Sequence, residues 1–457
     1  MLEPVIEEQA SHEVEDCGAP DCIRCARRRS FILPEEVVTA AREGHLTIFA
    51  GAGVSTESQS VLPITLYDEV KLELGDVSDD LTFSQLMSRY WAQPDGPTRL
   101  LQKIKHRITH IRTYPELYRS ACEFHRELAT IPQLKNIITT NWDDLFEQEC
   151  AATPFVVAQD FVFWRLPERK VFKIHGSVNN YSSIVATQEQ YDHCYQELSQ
   201  GLIGSNLKML LATQVVVFVG YSLRDDDFQR VLSLLSREMG ELLPHAYIVT
   251  LDETTSLRYP TSRVTPIVTD AVYFVEVLKA RLVADRLMIP DEQFDGVDDA
   301  LFLVHEAQDK LTEVHNALSN PEIIYAMAYQ DGLIHRLEII LANKKTASYS
   351  DPCQVFNLVD TYQQRRRMLL RGRRYFDVAY IDGHIAALTY FMYSQEGREG
   401  LPLYYAFGAG DVVTLKDYME VVKDAHARHK AAYELAKRVT GERVTSSDTV
   451  VHHGPIL

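Results

Sequence analysis

Six short apolar runs mark the first 290 residues: "LTIFAG" from Leu46, "KNIITTNW" from Lys135, "RKVFKIHGS" from Arg169, "QVVVFVG" from Gln214, "HAYIVTLD" from His245 and "AVYFVEV" from Ala271. Their apolar residues stand together rather than alternating with polar ones. That pattern predicts strands covered on both faces. Between them lie segments whose apolar residues recur three and four positions apart, the spacing of a helix with one buried face. "PEEVVTAAREG" is the clearest, with Pro34 in the first turn, two glutamates at the positive helix start and Gly44 as the stop. "PELYRSACEFHRELATI" repeats the Pro-Glu opening, and "TQEQYDHCYQELSQGLIGSNLKMLLAT" reads as helical. Strand and helix alternate, so residues 34–285 are expected to form an α/β domain: a Rossmann-like parallel sheet with helices on both faces. From about Asp291 the pattern changes to long helical segments, which predicts a mainly α-helical C-terminal domain over 291–440. Residues 1–33 read as an acidic, cysteine-containing arm, and 441–457 as a mobile tail.

Four of the strands run into glycine or polar residues: "GAGVS", "TTNWDD", "HGS" and "GYSLRDDD". Open α/β sheets bind ligands at the C-terminal ends of their strands, so these four segments are expected to share one cleft. Each residue has two readings. Gly51 and Gly53 make either a plain turn or a cradle that lets a phosphate approach the main chain; the third glycine of the dinucleotide fingerprint is replaced by Thr56. Asn141 is either a cap for the helix expected from about Asp143 or a ligand-facing amide. His175 is either a core histidine or, placed at a strand end before a glycine, a proton carrier whose ordinary pKa of about 6.5 suits neutral pH. Asp143 and Asp144 read as helix-start charges, as do Asp225, Asp226 and Asp227, and Ser222 offers a hydroxyl to a ribose or phosphate.

Two clusters lie outside that cleft. Cys17, Cys22 and Cys25, with His12, are a candidate zinc site of irregular spacing; the other reading is a solvated arm. The arginine-rich run from Arg365 to Phe376 reads as a solvent face or a surface for an acidic partner, with nucleic-acid contact as the minority reading.

Composition narrows the function. The chain has 457 residues and a net charge of -18, and both its first 290 residues and the remainder are acidic. That balance argues against direct nucleic-acid binding, which needs a basic surface. No apolar run reaches the roughly 20 residues a membrane span requires. The start, "MLEPVIEEQASHEVED", lacks the basic and apolar regions of a signal peptide, and seven cysteines are an odd number for a disulfide framework. A cytoplasmic location is expected.

In order and content, the four strand-end segments resemble the sirtuin catalytic domain, and within it the sirtuin-like NAD hydrolases of bacterial antiphage defence. The resemblance spans roughly residues 35–285. The sirtuin pattern of Gly-Ala-Gly-hydrophobic-Ser, Gln-Asn-hydrophobic-Asp, His-Gly and Gly-Thr-Ser is matched by Gly51-Ala52-Gly53-Val54-Ser55, Thr140-Asn141-Trp142-Asp143, His175-Gly176 and Gly220-Tyr221-Ser222. The resemblance implies NAD as substrate and no metal requirement. It assigns Asn141 and His175 to catalysis, and Gly51, Ala52, Gly53, Ser55, Thr140, Asp143, Gly220 and Ser222 to NAD contacts. Two departures matter. "SVLPITLYDEV" keeps only Pro63 of the segment that carries the usual sirtuin arginine. Between His175 and Gly220 there is one cysteine, Cys194, so the four-cysteine zinc module is absent. The implied reaction is therefore hydrolysis of NAD to ADP-ribose and nicotinamide, gated and used to deplete NAD. Protein deacylation or ADP-ribosylation on the same core, and a nucleotide-sensing scaffold without turnover, are the alternatives. A homo-oligomer built through the helical domain is expected, with a HerA-type ATPase, a short Argonaute or a phage trigger protein as candidate partners.

Overall fold

The computed structural model describes residues 23–58, 60–75, 78, 80–221, 233, 237, 245–252, 264–314, 320–393, 400–409, 412–443 and 452–455. The chain divides into two compact units, Met1–Asp285 and Arg286–Leu457. In the first, seven parallel strands form one sheet: β1 (Leu46–Ala50), β2 (Asn136–Thr139), β3 (Thr153–Phe155), β4 (Lys170–Lys173), β5 (Val215–Val219), β6 (Ala246–Thr250) and β7 (Val264–Val268). Their spatial order is β3-β4-β2-β1-β5-β6-β7. The chain builds outward from β1 on one side through β2 and β4, then returns to lay β5 on the other. That reversal is the switch point at which such sheets open a crevice.

All five residues of β1 are buried, as expected for a strand covered on both faces. On one face, Leu198, Leu207, Leu210 and Leu211 from the helices Gln188–Gln200 and Leu202–Thr213 pack on Phe49, Ile138, Phe172, Phe218 and Ile248. The sequence pattern ran these two helices together; Gly201 separates them. Helix Glu35–Glu43 opens after Pro34 and closes at Gly44, as its sequence predicts.

One expected strand is a helix. "AVYFVEV" lies within Ala271–Ala284, where Asp270 Oδ1 accepts the amides of Val272 and Tyr273. A continuous apolar run does not distinguish a buried strand from a buried helix. The cap does, and the strand of this region is the preceding Val264–Val268. The short β3 was not anticipated either. Both edge strands contain a proline, Pro154 in β3 and Pro266 in β7. Thr153 donates its amide inward to Arg169 O, and Thr269 donates inward to Thr250 O. By alternation, positions 154 and 266 face the outer edges, where no described strand lies and where proline supplies no N–H.

The second unit is helical. Its main helices are Glu292–Val314, Ile323–Ala342, Pro352–Arg371 and Tyr375–Tyr393, followed by Leu415–Val421, Ala425–Arg428 and Lys430–Arg443. The arginine-rich run turns at Gly372, with Arg374 N donating to Leu369 O. Helices Ile323–Ala342 and Tyr375–Tyr393 cross at Gly332 and Gly383. A Cβ at either glycine would stand 2.1 Å from a carbonyl of the other helix. No helix among the described residues is long and apolar enough to cross a membrane.

Candidate active site

Register places the site. Ala50 pairs with both Thr139 and Val219, and Thr139 pairs with Lys173, so the four strands end at one level. Gly51, Thr140, Ile174 and Gly220 come next. Asn141 and His175 each stand two residues beyond adjacent strand ends. Beyond these ends lies a cavity of about 630 Å³, within the usual range for a small-molecule site. Ala52, Gly53, Thr140, Asn141, Asp143, His175 and Gly220 all line it. Gly51 and Ser55 do not; Ser222 and the acids at 225–227 lie outside the described residues.

The glycines serve packing first. Gly53 N donates to Gly220 O at 3.0 Å, and Gly51 N donates to Val219 O at 2.9 Å. A Cβ on Gly53 would stand 2.7 Å from Gly220 O, and one on Gly51 2.8 Å from the same oxygen. Gly220 itself has φ +68, and its own Cβ would meet Val54. The turns after β1 and β5 are thus pressed together. The Gly53 amide is already engaged by Gly220, so a phosphate cradle here cannot rest on that donor alone.

Asn141 does not cap the following helix. Its amide donates to Thr139 Oγ1, and its Nδ2 donates to Ser55 Oγ at 3.2 Å. The helix Leu145–Cys150 begins later, and Asp143 Oδ1 accepts the Leu145 amide at 3.2 Å. Ser55 Oγ in turn donates to Asp143 Oδ2 at 2.9 Å. Ser55 is fully buried, so it joins Asn141 to Asp143 rather than facing the cavity. Asp144 turns aside to Arg112 and Asn179. His175 is buried with its ring edge-on to Tyr191, centroids 4.9 Å apart, and Gly176 turns the chain at φ +86. Thr140 Oγ1 lies 2.9 Å from the Tyr221 hydroxyl.

On the cavity wall, Asn141 Oδ1, an acceptor, and Trp142 Nε1, a donor, are buried with no hydrogen-bond partner among the described residues. Such atoms are costly to bury unless something satisfies them. The cavity also holds three carboxylates, of Glu57, Asp80 and Asp143, against one guanidinium, that of Arg107, among the described lining residues. Tyr67, Phe83, Trp142 and Tyr191 supply aromatic surface.

Sequence reasoning missed Arg107. It projects from helix Gly96–Thr113, and its side chain is only 10% exposed. It donates to the carbonyls of Thr56 and Ile64 and pairs with Glu57 at 3.0 Å and Glu69 at 3.5 Å. It therefore clasps the segment that carries the cavity residues Thr56, Glu57, Thr65 and Leu66. Burial pushes the Glu57 carboxyl up, with Arg107 opposing it. Nothing in its helical surroundings marks Arg107, because its role depends on a segment some 50 residues away.

Among the described residues no group of three or more His, Cys, Asp or Glu side chains could hold a metal ion. Of the cysteine cluster, Cys25 is half-buried, and Cys17, Cys22 and His12 lie outside the described residues.

A family model described as a SIR2-like domain matches residues 135–265, which carry β2, β4 and β5 with the segments after them. Over that stretch the chain is similar to sirtuin-like proteins. It is 30% identical over 220 residues to a protein of Cytobacillus dafuensis named NAD(+) hydrolase ThsA, covering 46% of this chain and 42% of that one. It is equally similar, 30% over 211 residues, to the protein of that name from Enterococcus faecium, covering 44% and 42%. Defense-associated sirtuin 2 of Bacillus subtilis is 20% identical over 272 residues, 58% of this chain and 25% of that protein. The chain spans under half the length of these relatives. A solved structure described as the structural basis for the mechanism and regulation of Sir2 enzymes aligns with 55% of this chain and all of its own, at 15% identity and a TM-score of 0.27.

Proposed function

We propose that this sirtuin-like protein hydrolyses NAD to ADP-ribose and nicotinamide, as a gated effector of antiphage defence that depletes NAD. The observation that carries the reading is the meeting of Asn141 and His175 in one acidic, aromatic-walled cavity, with Asn141 Oδ1 buried and without a partner among the described residues. The names of the bacterial relatives point the same way.

Breaking the nicotinamide bond sends its electron pair out with the leaving base and builds positive charge on the ribose anomeric carbon. An excess of carboxylates around the cavity suits that charge. Water adds to the carbon and releases one proton, which His175 accepts. Asn141, held by Ser55 through its Nδ2, keeps Oδ1 free to orient the water or a ribose hydroxyl. The aromatic side chains offer surface for the nicotinamide ring. No acyl-lysine is needed, which agrees with a sequence that lacks both the sirtuin arginine segment and the zinc module.

The test is incubation of purified protein with NAD, with and without acetylated peptide and with chelator, measuring nicotinamide and ADP-ribose. Peptide-independent, chelator-resistant release is expected, lost in folded Asn141→Ala and His175→Ala. Wild-type turnover in both variants would remove the assignment. Strict dependence on acetyl-lysine, with an acetylated ADP-ribose product, would make the protein a deacylase. An unrestrained NAD hydrolase would drain its host, so the reading includes a gate. Self-assembly through the helical unit is the first choice, since most soluble oligomers are homo-oligomers. A HerA-type ATPase, a short Argonaute or a phage protein is the alternative trigger. Light scattering of the full chain, with NAD turnover before and after phage challenge of the host, decides between them. A monomer with constant activity under both conditions counts against any gate.

A further inference from the structure

β4 ends on Lys173, whose side chain is wholly shielded from solvent. A buried ammonium is costly unless it is paired and hydrogen-bonded. Lys173 Nζ meets Glu147 Oε1 at 3.0 Å and donates to the main-chain carbonyl of Asp143. Glu147 lies on the short helix Leu145–Cys150 that follows the end of β2. Burial pushes its carboxyl up while Lys173 opposes that shift, so the two charges depend on each other.

The carbonyl contact is what reaches the site. Lys173 stands two residues before His175, and Asp143 two residues after Asn141. Asp143 holds Ser55, and Ser55 holds the Asn141 amide. A continuous line of contacts thus runs from the strand of His175 to the side chain of Asn141. Lys173 is absent from the cavity wall, so it does not touch a substrate there.

We propose that Lys173 is a positioning residue, which sets the spacing of the Asn141 and His175 strand ends by tethering the Asp143 carbonyl. The inference rests on the NAD-hydrolase reading for its kinetic consequence, not for its geometry. Its alternative is a purely structural ion pair, which well-packed apolar side chains can replace without loss.

The experiment separates the two. Lys173→Met alone strands Glu147, so a loss of folding there says little. The double variant Lys173→Met with Glu147→Leu removes both charges and is expected to melt at or above the wild-type temperature. Its kcat for NAD should nevertheless fall by up to about 100-fold, the scale of a misplacement near 1 Å, with KM changed less than about threefold. A stable double variant with wild-type kcat would overturn the proposal. The second readout needs no turnover: in the full chain with isotope-labelled histidine and asparagine, the signals of His175 and Asn141 should both move in the double variant. If the wild type fails to consume NAD, the functional reading fails, and this readout alone judges the tether. Unmoved signals would then remove it.

Discussion

Ser55 is small, fully buried and central to the site, so Ser55→Ala is a demanding test. The change deletes one oxygen. It removes the hydrogen bond to the Asp143 carboxylate at 2.9 Å and the one accepted from Asn141 Nδ2 at 3.2 Å. A hydrogen bond to a charged group contributes about 1.5–3 kcal/mol and a neutral one about 0.5–1.5 kcal/mol. Little water can replace either at a site with no exposure. The variant is therefore expected to lose about 3 kcal/mol, a large share of the roughly 5–15 kcal/mol that holds a domain folded. All three tryptophans, Trp91, Trp142 and Trp164, belong to the first unit, so urea unfolding followed by tryptophan fluorescence reports that unit alone. With Asn141 no longer held, NAD turnover in the folded variant should drop at least about tenfold, mainly in kcat. An unfolding free energy within about 0.5 kcal/mol of wild type, together with unchanged turnover, would refute the role assigned to Ser55.

Three further outcomes are expected. Arg107→Ala frees the segment around Thr56 and Ile64 and leaves Glu57 without its cation; it should raise KM for NAD about tenfold and lower the stability of the first unit by about 2 kcal/mol, read by steady-state kinetics and fluorescence. Gly220→Ala should cost more than about 2 kcal/mol, because a Cβ there meets Val54 within 3 Å, whereas Gly44→Ala, in the left-handed region at φ 73 and ψ 22 with its nearest neighbour 3.7 Å away, should cost about 1 kcal/mol; equal losses would contradict the close contact of the two turns. Burial pushes the Glu322 carboxyl up to about 7 from an ordinary 4.5, and neither of its oxygens has a hydrogen-bond partner among the described residues. A raised acid makes the folded state the better proton binder, so stability falls as pH rises from about 4.5 to 7 and the cost is complete above that. Glu322→Gln should then stabilise the helical unit by about 3 kcal/mol at pH 8 and by nothing below pH 4, seen in urea unfolding by circular dichroism; a pH-independent difference would exclude the linkage.

The sheet and the four strand ends were legible because each is written in consecutive residues: an apolar run, then glycine or a polar cluster. What stayed hidden depends on contacts between distant segments. "AVYFVEV" carries no period that separates strand from helix, and only the Asp270 cap decides it. Lys173 reads as one polar residue in a strand, and its burial comes from Glu147 and Asp143 on a different element. Ser55 was assigned to the ligand on the family pattern, yet its hydroxyl is spent on Asp143 and Asn141. The two glycines of the first turn drew attention as a phosphate cradle; their tighter constraint is the turn after β5, about 170 residues on.

The prolines on the outer strands constrain how copies of this protein can meet. A sheet grows when a new strand finds a row of amides pointing outward, and at both margins one of those donors is missing. With β3 only three residues long, a neighbour that docked there would find almost nothing to hold. Edge-to-edge stacking of the first unit, the pairing of one copy's sheet edge with another's, is thereby disfavoured at both margins.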